Sequence, residues 1–474
     1  MITVCSAAAV VVATTRLYDP DIWWVAAAGR EALAQQRVPE QNLFSFTEPG
    51  HEWLMHEWLL GPPYALGLQR FGPAFYTAVT LIVLTVGLGL ILRGTVGRAR
   101  NPGAGLALAF VAVTCFGARL LSARPTGVAQ LFPLALCLLA FAPRFSALSA
   151  LSATAIELVW TNTHGSFPLG IALVSLAALD SRHDRPLRIA TAAALVAVTL
   201  VNPYGLALHR FVAHYALGDT GIYREIHGHV EEFGSLFDAR QLRSGLGDLL
   251  PLALIALASA AALRVAKYRA RAAFCLLLIV AAAMQVRHVA LVGLLVCLLL
   301  LPWLDEQWET WGLAGGAARS SGAALRPWAL LVLPCALGVG LFAAVSLRRS
   351  AGDSIAEGPA FLRALSAVRP GSRLYAPFSE AGIAIWYGFP RRIRVFFDSR
   401  NDCYSAETAR AFWRLGDSAT PSMAAREILV RTGTDAALIP SDHALAFLKD
   451  DANCNERYRE AGWLLYERVQ PARP

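Results

Sequence analysis

Two carboxylates follow the first apolar segment of the chain, Asp19 and Asp21, and Trp23 and Trp24 come directly after them. An ionisable residue held close to lipid is costly, so such a pair indicates a functional site. A carboxylate can act as a general base, and a pair can hold a divalent cation, Mg²⁺ or Mn²⁺. Two structural alternatives stay open. Asp21 can be the N-cap of a helix that begins at Ile22, and the tryptophans can belong to an interfacial aromatic belt.

A second group of polar residues lies at the ends of apolar segments. An arginine there can bind a phosphate bidentately, or its side chain can extend to the lipid headgroups. Several such arginines on one membrane face, beside carboxylates and a histidine, favour a phosphate site, although the histidines can equally be structural. The candidate residues of this group are Arg124, Asn162, His164, Arg287 and His288, with Arg119 beside them.

The run from His51 to Trp58 contains two histidines and two glutamates. A zincin motif needs histidines four residues apart on one helix face, whereas His51 and His56 are five apart. The spacing therefore excludes that motif. His56 and Glu57 stay candidates for substrate contact from this loop.

The composition predicts a polytopic membrane protein. Of the 474 residues, 56% are hydrophobic and only 16% are charged, and the mean hydropathy is +0.46. Soluble domains carry about 25% charged residues. The apolar residues form long blocks, and no basic patch interleaved with aromatic residues suggests nucleic-acid binding.

About eleven transmembrane helices are predicted within residues 1–347, with long outer loops at 16–73 and 202–246. The first loop should hold short helices near Glu31–Gln36 and Trp53–Gln69, and the second an amphipathic segment, Leu206–Leu217. The predicted spans are 2–15, 74–93, 104–121, 127–142, 145–160, 166–180, 187–201, 247–265, 271–284, 287–304 and 327–347.

If successive spans cross the membrane in alternating directions, five loops rich in Lys and Arg lie on one side of the membrane. Arg348 and Arg349 are the exception. Short basic loops are cytoplasmic. The N-terminus is therefore predicted inside and the C-terminal region outside. The same alternation places the conspicuous polar motifs together on the outer face.

Residues 350–474 have the composition of a small soluble α/β domain. Strands are predicted at Arg373–Ala376, Ile383–Tyr387, Ile393–Phe397, Ala436–Ile439 and Trp463–Arg468, and helices at Pro359–Val368, Ala406–Leu415, Ser422–Arg431 and His443–Leu448. No glycine-rich nucleotide motif is present. Cys403 and Cys454 can form a disulfide if this domain is extracytoplasmic.

The combination resembles the GT-C superfamily of membrane glycosyltransferases, and more closely a group of bacterial multi-pass proteins within it. The resemblance extends over essentially the whole chain. Its motifs are Asp19–Trp24, Ser45–Thr47 with His56–Leu59, Asn162–Gly165, Asn202–Gly205, Arg287-His288 and Phe396–Tyr404. One departure is that Pro20 separates the two acidic residues, which are adjacent in much of the superfamily.

The resemblance implies transfer of a sugar from a polyprenyl-phosphate donor to a lipid, glycan or protein acceptor, at the outer face of a bacterial plasma membrane. Asp19 or Asp21 would activate the acceptor, and Arg124, Arg287 and His288 would hold the donor phosphate. Asp398 and Arg400 would contact a sugar, or alternatively form an internal ion pair. The rival functions are a lipid-linked glycan ligase or polymerase and a transporter, which the absence of an internal repeat disfavours.

Overall fold

The computed structural model describes residues 21–116, 123–181, 183–218, 221–238, 249–311, 359–460 and 462–468. Asp19, Arg119 and the predicted spans 2–15 and 327–347 lie outside them. The chain divides into two compact units. The first includes Tyr76–Gly205 and Val230–Gly352, and the second includes Tyr18–Phe75, Leu206–His229 and Asp353–Pro474.

The first unit is helical throughout its described residues. Several of its helices begin at a proline, whose fixed φ suits the first helical turn. Asn101 and Ser146 act as N-caps, because their side chains accept hydrogen bonds from Gly103 N and Ser149 N. The helices are α3 (Pro73–Gly94), α4 (Pro102–Val111), α5 (Pro125–Ala129), α6 (Leu131–Ala140), α7 (Ala147–Thr161), α8 (Pro168–Asp180), α9 (Arg185–Val198), α12 (Leu249–Leu263), α13 (Arg269–Met284) and α14 (Val289–Thr310).

Arg98, in a short loop, and Arg188, in the first turn of α9, bind carbonyl groups at the end of a neighbouring helix. Arg98 donates to the carbonyl of Leu138, and Arg188 donates to Ala140 O and Ala142 O, both at 3.1 Å. The last carbonyls of a helix have no partner within the helix, so a cation there satisfies them and interacts favourably with the helix dipole. These arginines therefore stabilise helix ends in addition to any role in membrane orientation.

All but the first and last of the predicted spans coincide with described helices. Among the described residues, two helices are long and apolar enough to cross a membrane, Pro73–Gly94 and Val286–Thr310. Five further apolar helices are shorter. The mostly helical class is confirmed, and the count of eleven crossings stays a prediction.

The second unit combines helices with one sheet. The amphipathic helix predicted at Leu206–Leu217 is confirmed, whereas the helices of the first loop differ in extent from the prediction. The helices are α1 (Asp21–Gln35), α2 (Gly61–Phe71), α10 (Leu206–Leu217), α11 (Gly221–His229), α15 (Pro359–Ala367), α16 (Ala381–Gly388), α17 (Ala406–Gly416) and α18 (Ser422–Arg431).

The sheet has five strands in the order β2-β1-β3-β5-β4. Strand β1 pairs in parallel with β2 and β3, and β5 pairs antiparallel with β3 and β4. The strands are β1 (Arg373–Tyr375), β2 (Arg394–Val395), β3 (Ala436–Pro440), β4 (Cys454–Glu460) and β5 (Trp463–Arg468). This confirms the small α/β part of the predicted fold.

Two elements of this region differ from the prediction. Residues 383–387 were predicted as a strand but form part of helix α16. A short apolar run has no periodicity that distinguishes a helix from a strand, so the sequence could not separate the two. Strand β4 was missed, since its sequence is polar and most of its residues are exposed. Cys403 and Cys454 are both free thiols.

Candidate functional site

Of the two N-terminal carboxylates, the structure describes Asp21. Its side chain is buried at the start of α1, and its Oδ1 accepts a 3.0 Å hydrogen bond from Trp24 Nε1. Burial penalises a charged carboxylate unless donors surround it, and the indole N–H supplies one. The roles of Asp21 and Asp19 as base or metal ligand stay predictions.

The two tryptophans after Asp21 belong to the core of the second unit. Trp23 and Trp24 are 1% and 5% exposed. The ring of Trp23 lies 5.8 Å from that of Tyr387, and the ring of Trp24 lies 6.0 Å from that of Trp53. Their alternative assignment to an interfacial aromatic belt is therefore wrong.

The first loop extends the sheet of the C-terminal region. Val395 in β2 donates a hydrogen bond to Phe44 O at 2.9 Å, and its carbonyl accepts one from Phe46 N at 3.1 Å. These bonds satisfy an edge of β2 that would otherwise be open. Arg30 of α1 also donates to Trp386 O at 3.1 Å. The loop predicted within the membrane domain thus belongs to the same compact unit as the C-terminal region.

Glu48 connects the loop to helix α17. Its Oε1 accepts hydrogen bonds from Ser405 Oγ at 2.5 Å and from Thr408 Oγ1 at 2.6 Å. Burial alone would raise the pKa of Glu48, but these hydrogen bonds outweigh it and lower the pKa below its usual value. The carboxylate is therefore held in its charged form beside the first turn of α17, where the helix dipole favours it.

His56 and Glu57 are neighbours within the second unit. His56 Nε2 lies 3.6 Å from Glu57 Oε1, and its ring lies 5.0 Å from that of Phe211 in α10. Glu57 is buried. This position connects the first outer loop with α10, and the substrate contacts predicted for both residues remain untested.

Asp398 and Arg400 form an internal ion pair with no exposed side-chain surface. Arg400 Nε and Nη2 donate to the two carboxylate oxygens at 2.8 and 2.7 Å, and Tyr404 Oη also donates to Asp398. Arg400 further donates to Asn42 Oδ1 at 2.8 Å and lies 4.6 Å from the ring centre of Trp53. The internal pair considered as an alternative is therefore present, and it joins the first loop to the C-terminal domain.

In the first unit, Arg124 and Arg287 converge on one carboxylate, that of Glu232. Arg124 donates two hydrogen bonds, from Nη1 to Oε2 at 3.0 Å and from Nη2 to Oε1 at 3.2 Å. Arg287 Nη1 lies 3.7 Å from Oε1. Burial would raise the pKa of Glu232, but the charges of both arginines outweigh it and lower the pKa to about 2. Glu232 is therefore an anion at neutral pH.

The other predicted residues of this unit are His164, His288 and Asn162, and they differ in their contacts and in how near they lie to that cluster. His164 Nε2 lies 3.4 Å from Thr126 Oγ1, two residues after Arg124. His288 follows Arg287 directly in the chain, and its Nε2 lies 3.2 Å from Gln285 Oε1. Asn162 instead donates to Leu158 O and Val201 O, which suits a structural role at the end of α7.

Glu232 is not among the site residues predicted from the sequence. The signal was a carboxylate on the same predicted face as two arginines, but no spacing rule connects residues 124, 232 and 287. Two guanidinium groups converge on one carboxylate in this cluster. The cluster is thus suited to bind an anion.

A metal site is not apparent in the described part of the chain. Among those residues, no three His, Cys, Asp or Glu side chains lie together in a way that could hold a metal ion. Asp21 supplies one described carboxylate, and the other predicted ligand, Asp19, is not described. The Mg²⁺ or Mn²⁺ expected at Asp19 and Asp21 therefore stays a prediction.

Comparison with known proteins finds no matching family model and no matching curated sequence. Solved structures do match. ArnT from Cupriavidus metallidurans bound to undecaprenyl phosphate has a TM-score of 0.52 at 14% identity, over 99% of this chain and 97% of that one. The oligosaccharyltransferase of Archaeoglobus fulgidus in its apo form has a TM-score of 0.55 at 11% identity, over 100% of this chain and 75% of that one.

A further match is the archaeal oligosaccharyltransferase AglB from Archaeoglobus fulgidus in complex with an inhibitory peptide and a dolichol-phosphate, with a TM-score of 0.52 at 12% identity. It covers 100% of this chain and 74% of the neighbour. Identities this low establish the fold alone. The chain has the fold of these solved structures, which confirms the predicted resemblance at the level of the fold.

Proposed function

We propose that this protein is a membrane glycosyltransferase that takes a sugar from a polyprenyl-phosphate donor at the outer face of the membrane. The observation that carries the proposal is the convergence of Arg124 and Arg287 on one anion, in a fold shared with an ArnT bound to undecaprenyl phosphate. Two arginines can bind a phosphate through charge-assisted hydrogen bonds.

The reaction would exchange one bond at the anomeric carbon of the sugar. The acceptor oxygen or nitrogen forms a bond to that carbon while the bond to the phosphate oxygen breaks. The acceptor proton passes to the carboxylate of Asp19 or Asp21. The leaving phosphate gains one negative charge, which Arg124 and Arg287 stabilise.

The proposed roles of the second unit concern the acceptor and the sugar. His56 and Glu57 are candidates for contact with substrate from the first loop. For Asp398 and Arg400 the sugar contact stays a prediction. Because the two residues form an internal ion pair, their variants must be tested for folding first. Asp19 and Asp21 would hold a divalent cation, which would supply positive charge to the reaction.

The direct test measures turnover of the purified protein in lipid with labelled polyprenyl-phosphate sugars. We expect release of free polyprenyl phosphate by the unaltered protein. Asp19→Asn or Asp21→Asn should reduce the rate by about 100-fold or more, the contribution of a general base. Chelation and restoration with Mg²⁺ or Mn²⁺ tests the metal.

The outcomes separate the rival functions. Turnover that survives both aspartate substitutions but is lost in Arg287→Ala would indicate the lipid-linked glycan ligase or polymerase. Binding of a lipid-linked glycan without turnover would indicate a transporter. Arg144→Gln serves as a matched control, because this exposed arginine lies in a different loop from the cluster.

A further inference from the structure

Glu232 occupies the position on Arg124 that a phosphate would be expected to take. The two carboxylate oxygens face the two terminal nitrogens of Arg124, and one of them also approaches Arg287. Phosphate oxygens bind an arginine in the same paired manner. A phosphate that binds both arginines must therefore displace this carboxylate or share its donors.

The fold holds Glu232 in this place. Its neighbour Phe233 is buried, and the guanidinium of Arg287 lies 4.4 Å from the centre of its ring. Backbone hydrogen bonds of 3.0 Å join Val286 N to Gly234 O and Leu236 N to Ala283 O. The segment that carries Glu232 is thus fixed to the segment that carries Arg287.

The side chains of the cluster are still partly exposed at the protein surface. The side chains of Arg124 and Glu232 are each 30% exposed, and that of Arg287 is 17% exposed. An anion can therefore approach the two guanidinium groups without unfolding of the segment. The carboxylate is negatively charged when it does so, since the arginines hold it in its ionised form.

The charge of the ligand differs before and after the proposed reaction. A polyprenyl-phosphate sugar is a phosphodiester with one negative charge, and the released phosphate monoester carries about −1.5 to −2 at pH 7. Coulombic repulsion from a nearby carboxylate grows in proportion to ligand charge. Glu232 therefore disfavours the product more than the donor.

We propose that Glu232 is a specificity-determining residue that competes with polyprenyl phosphate for Arg124 and Arg287, and so promotes release of the product over loss of the donor. This inference rests on the proposed function, because it assigns the ligand of the same two arginines. Without Glu232, the two arginines would bind the more highly charged product too tightly. Glu232 therefore has a role that the arginines alone could not supply.

The test compares Glu232→Gln with the unaltered protein in lipid nanodiscs at pH 8. The probes are undecaprenyl phosphate and its methyl ester, which has a single negative charge. Glu232→Gln should bind the phosphate about tenfold more tightly and the methyl ester about threefold more tightly, since the smaller charge feels about half the repulsion. The adjacent exposed residue provides the matched control, Glu231→Gln, which should change neither affinity.

The outcomes distinguish the two proposals. If the unaltered protein and Glu231→Gln bind neither probe, the proposed function fails. If they bind undecaprenyl phosphate and Glu232→Gln binds it equally well, or tightens equally for both probes, the inference about Glu232 is overturned. Weaker binding by a Glu232→Gln variant with an unchanged melting temperature would instead show that Glu232 positions the arginines, which also overturns it.

Discussion

Asp398, which is buried, and Glu232, which is half-buried, each form ion pairs with arginines. The two carboxylates differ in what surrounds them. Asp398 has one arginine and a tyrosine hydroxyl in a fully enclosed place, whereas Glu232 has two arginines in a place open to solvent. An enclosed, balanced pair suits structure. A partly exposed cluster in which two arginines converge on one carboxylate suits binding of an anion.

The enclosed pair leads to a prediction about stability. Asp398→Asn should lower the free energy of unfolding of the second unit by about 3 to 5 kcal/mol, because it leaves the charge of Arg400 buried without its partner. Thermal unfolding of the purified protein in detergent measures the effect. Arg459→Gln is the control, since its pair with Glu456 is exposed and should contribute little to stability. An equal shift for both variants would contradict this assignment.

At the scale of elements, the first outer loop is part of the architecture of the C-terminal region. It supplies residues 44–46 to the edge of the sheet, Glu48 to the first turn of α17 and α1 to the face of α16. An acidic residue at the start of α1 is thereby carried on a rigid element. A reactive group placed on such an element keeps its orientation better than one on a free loop.

The packing of α1 against α2 depends on two glycines. A Cβ at Gly29 would lie 1.9 Å from the carbonyl carbon of Gly61, so the two backbones must separate. Gly29→Ala should therefore destabilise the second unit by about 1 to 3 kcal/mol, as overpacking does. The measurement is the melting temperature in detergent.

Its control is Gly228→Ala in α11, where no other atom lies within 4 Å of the new Cβ. Alanine is the better helix former, so this change should be neutral or slightly stabilising. A Gly29→Ala variant that melts at the temperature of the unaltered protein would show that α1 and α2 separate at no cost. The close approach would then not be a requirement of the fold.

At the scale of the whole molecule, the predicted orientation can be tested by labelling. Ser441→Cys lies in an exposed turn of the C-terminal region, and Arg144→Cys in an exposed short loop between α6 and α7. A membrane-impermeant maleimide added to intact cells should label the first and spare the second until the cells are permeabilised. This follows from the cytoplasmic location of short basic loops.

The unsubstituted protein gives the background from native cysteines in that experiment. Labelling of Arg144→Cys but not of Ser441→Cys in intact cells would reverse the orientation. The proposed reaction would then face the cytoplasm, which would remove the reason to expect an outer-face donor. Equal labelling of both would contradict the alternation of spans.

The sequence alone determined the features that depend on local pattern. Long apolar runs predicted the helices of the first unit, and the amphipathic period at residues 206–217 predicted α10 with its observed bounds. The sequence also predicted β1, β2, β3 and β5 of the C-terminal region. The motifs from Asp19 to Tyr404 led to the resemblance that the shared fold confirms.

Only the tertiary structure decided which distant residues meet. Asn42 meets Arg400 across 358 positions, and Arg124 meets Glu232 across 108. A hydrogen bond between such residues leaves no periodicity in the sequence, because its geometry depends on the packing of every element between them. For the same reason the sequence could place several arginines on one predicted face, but it could not show that two of them bind the carboxylate of Glu232.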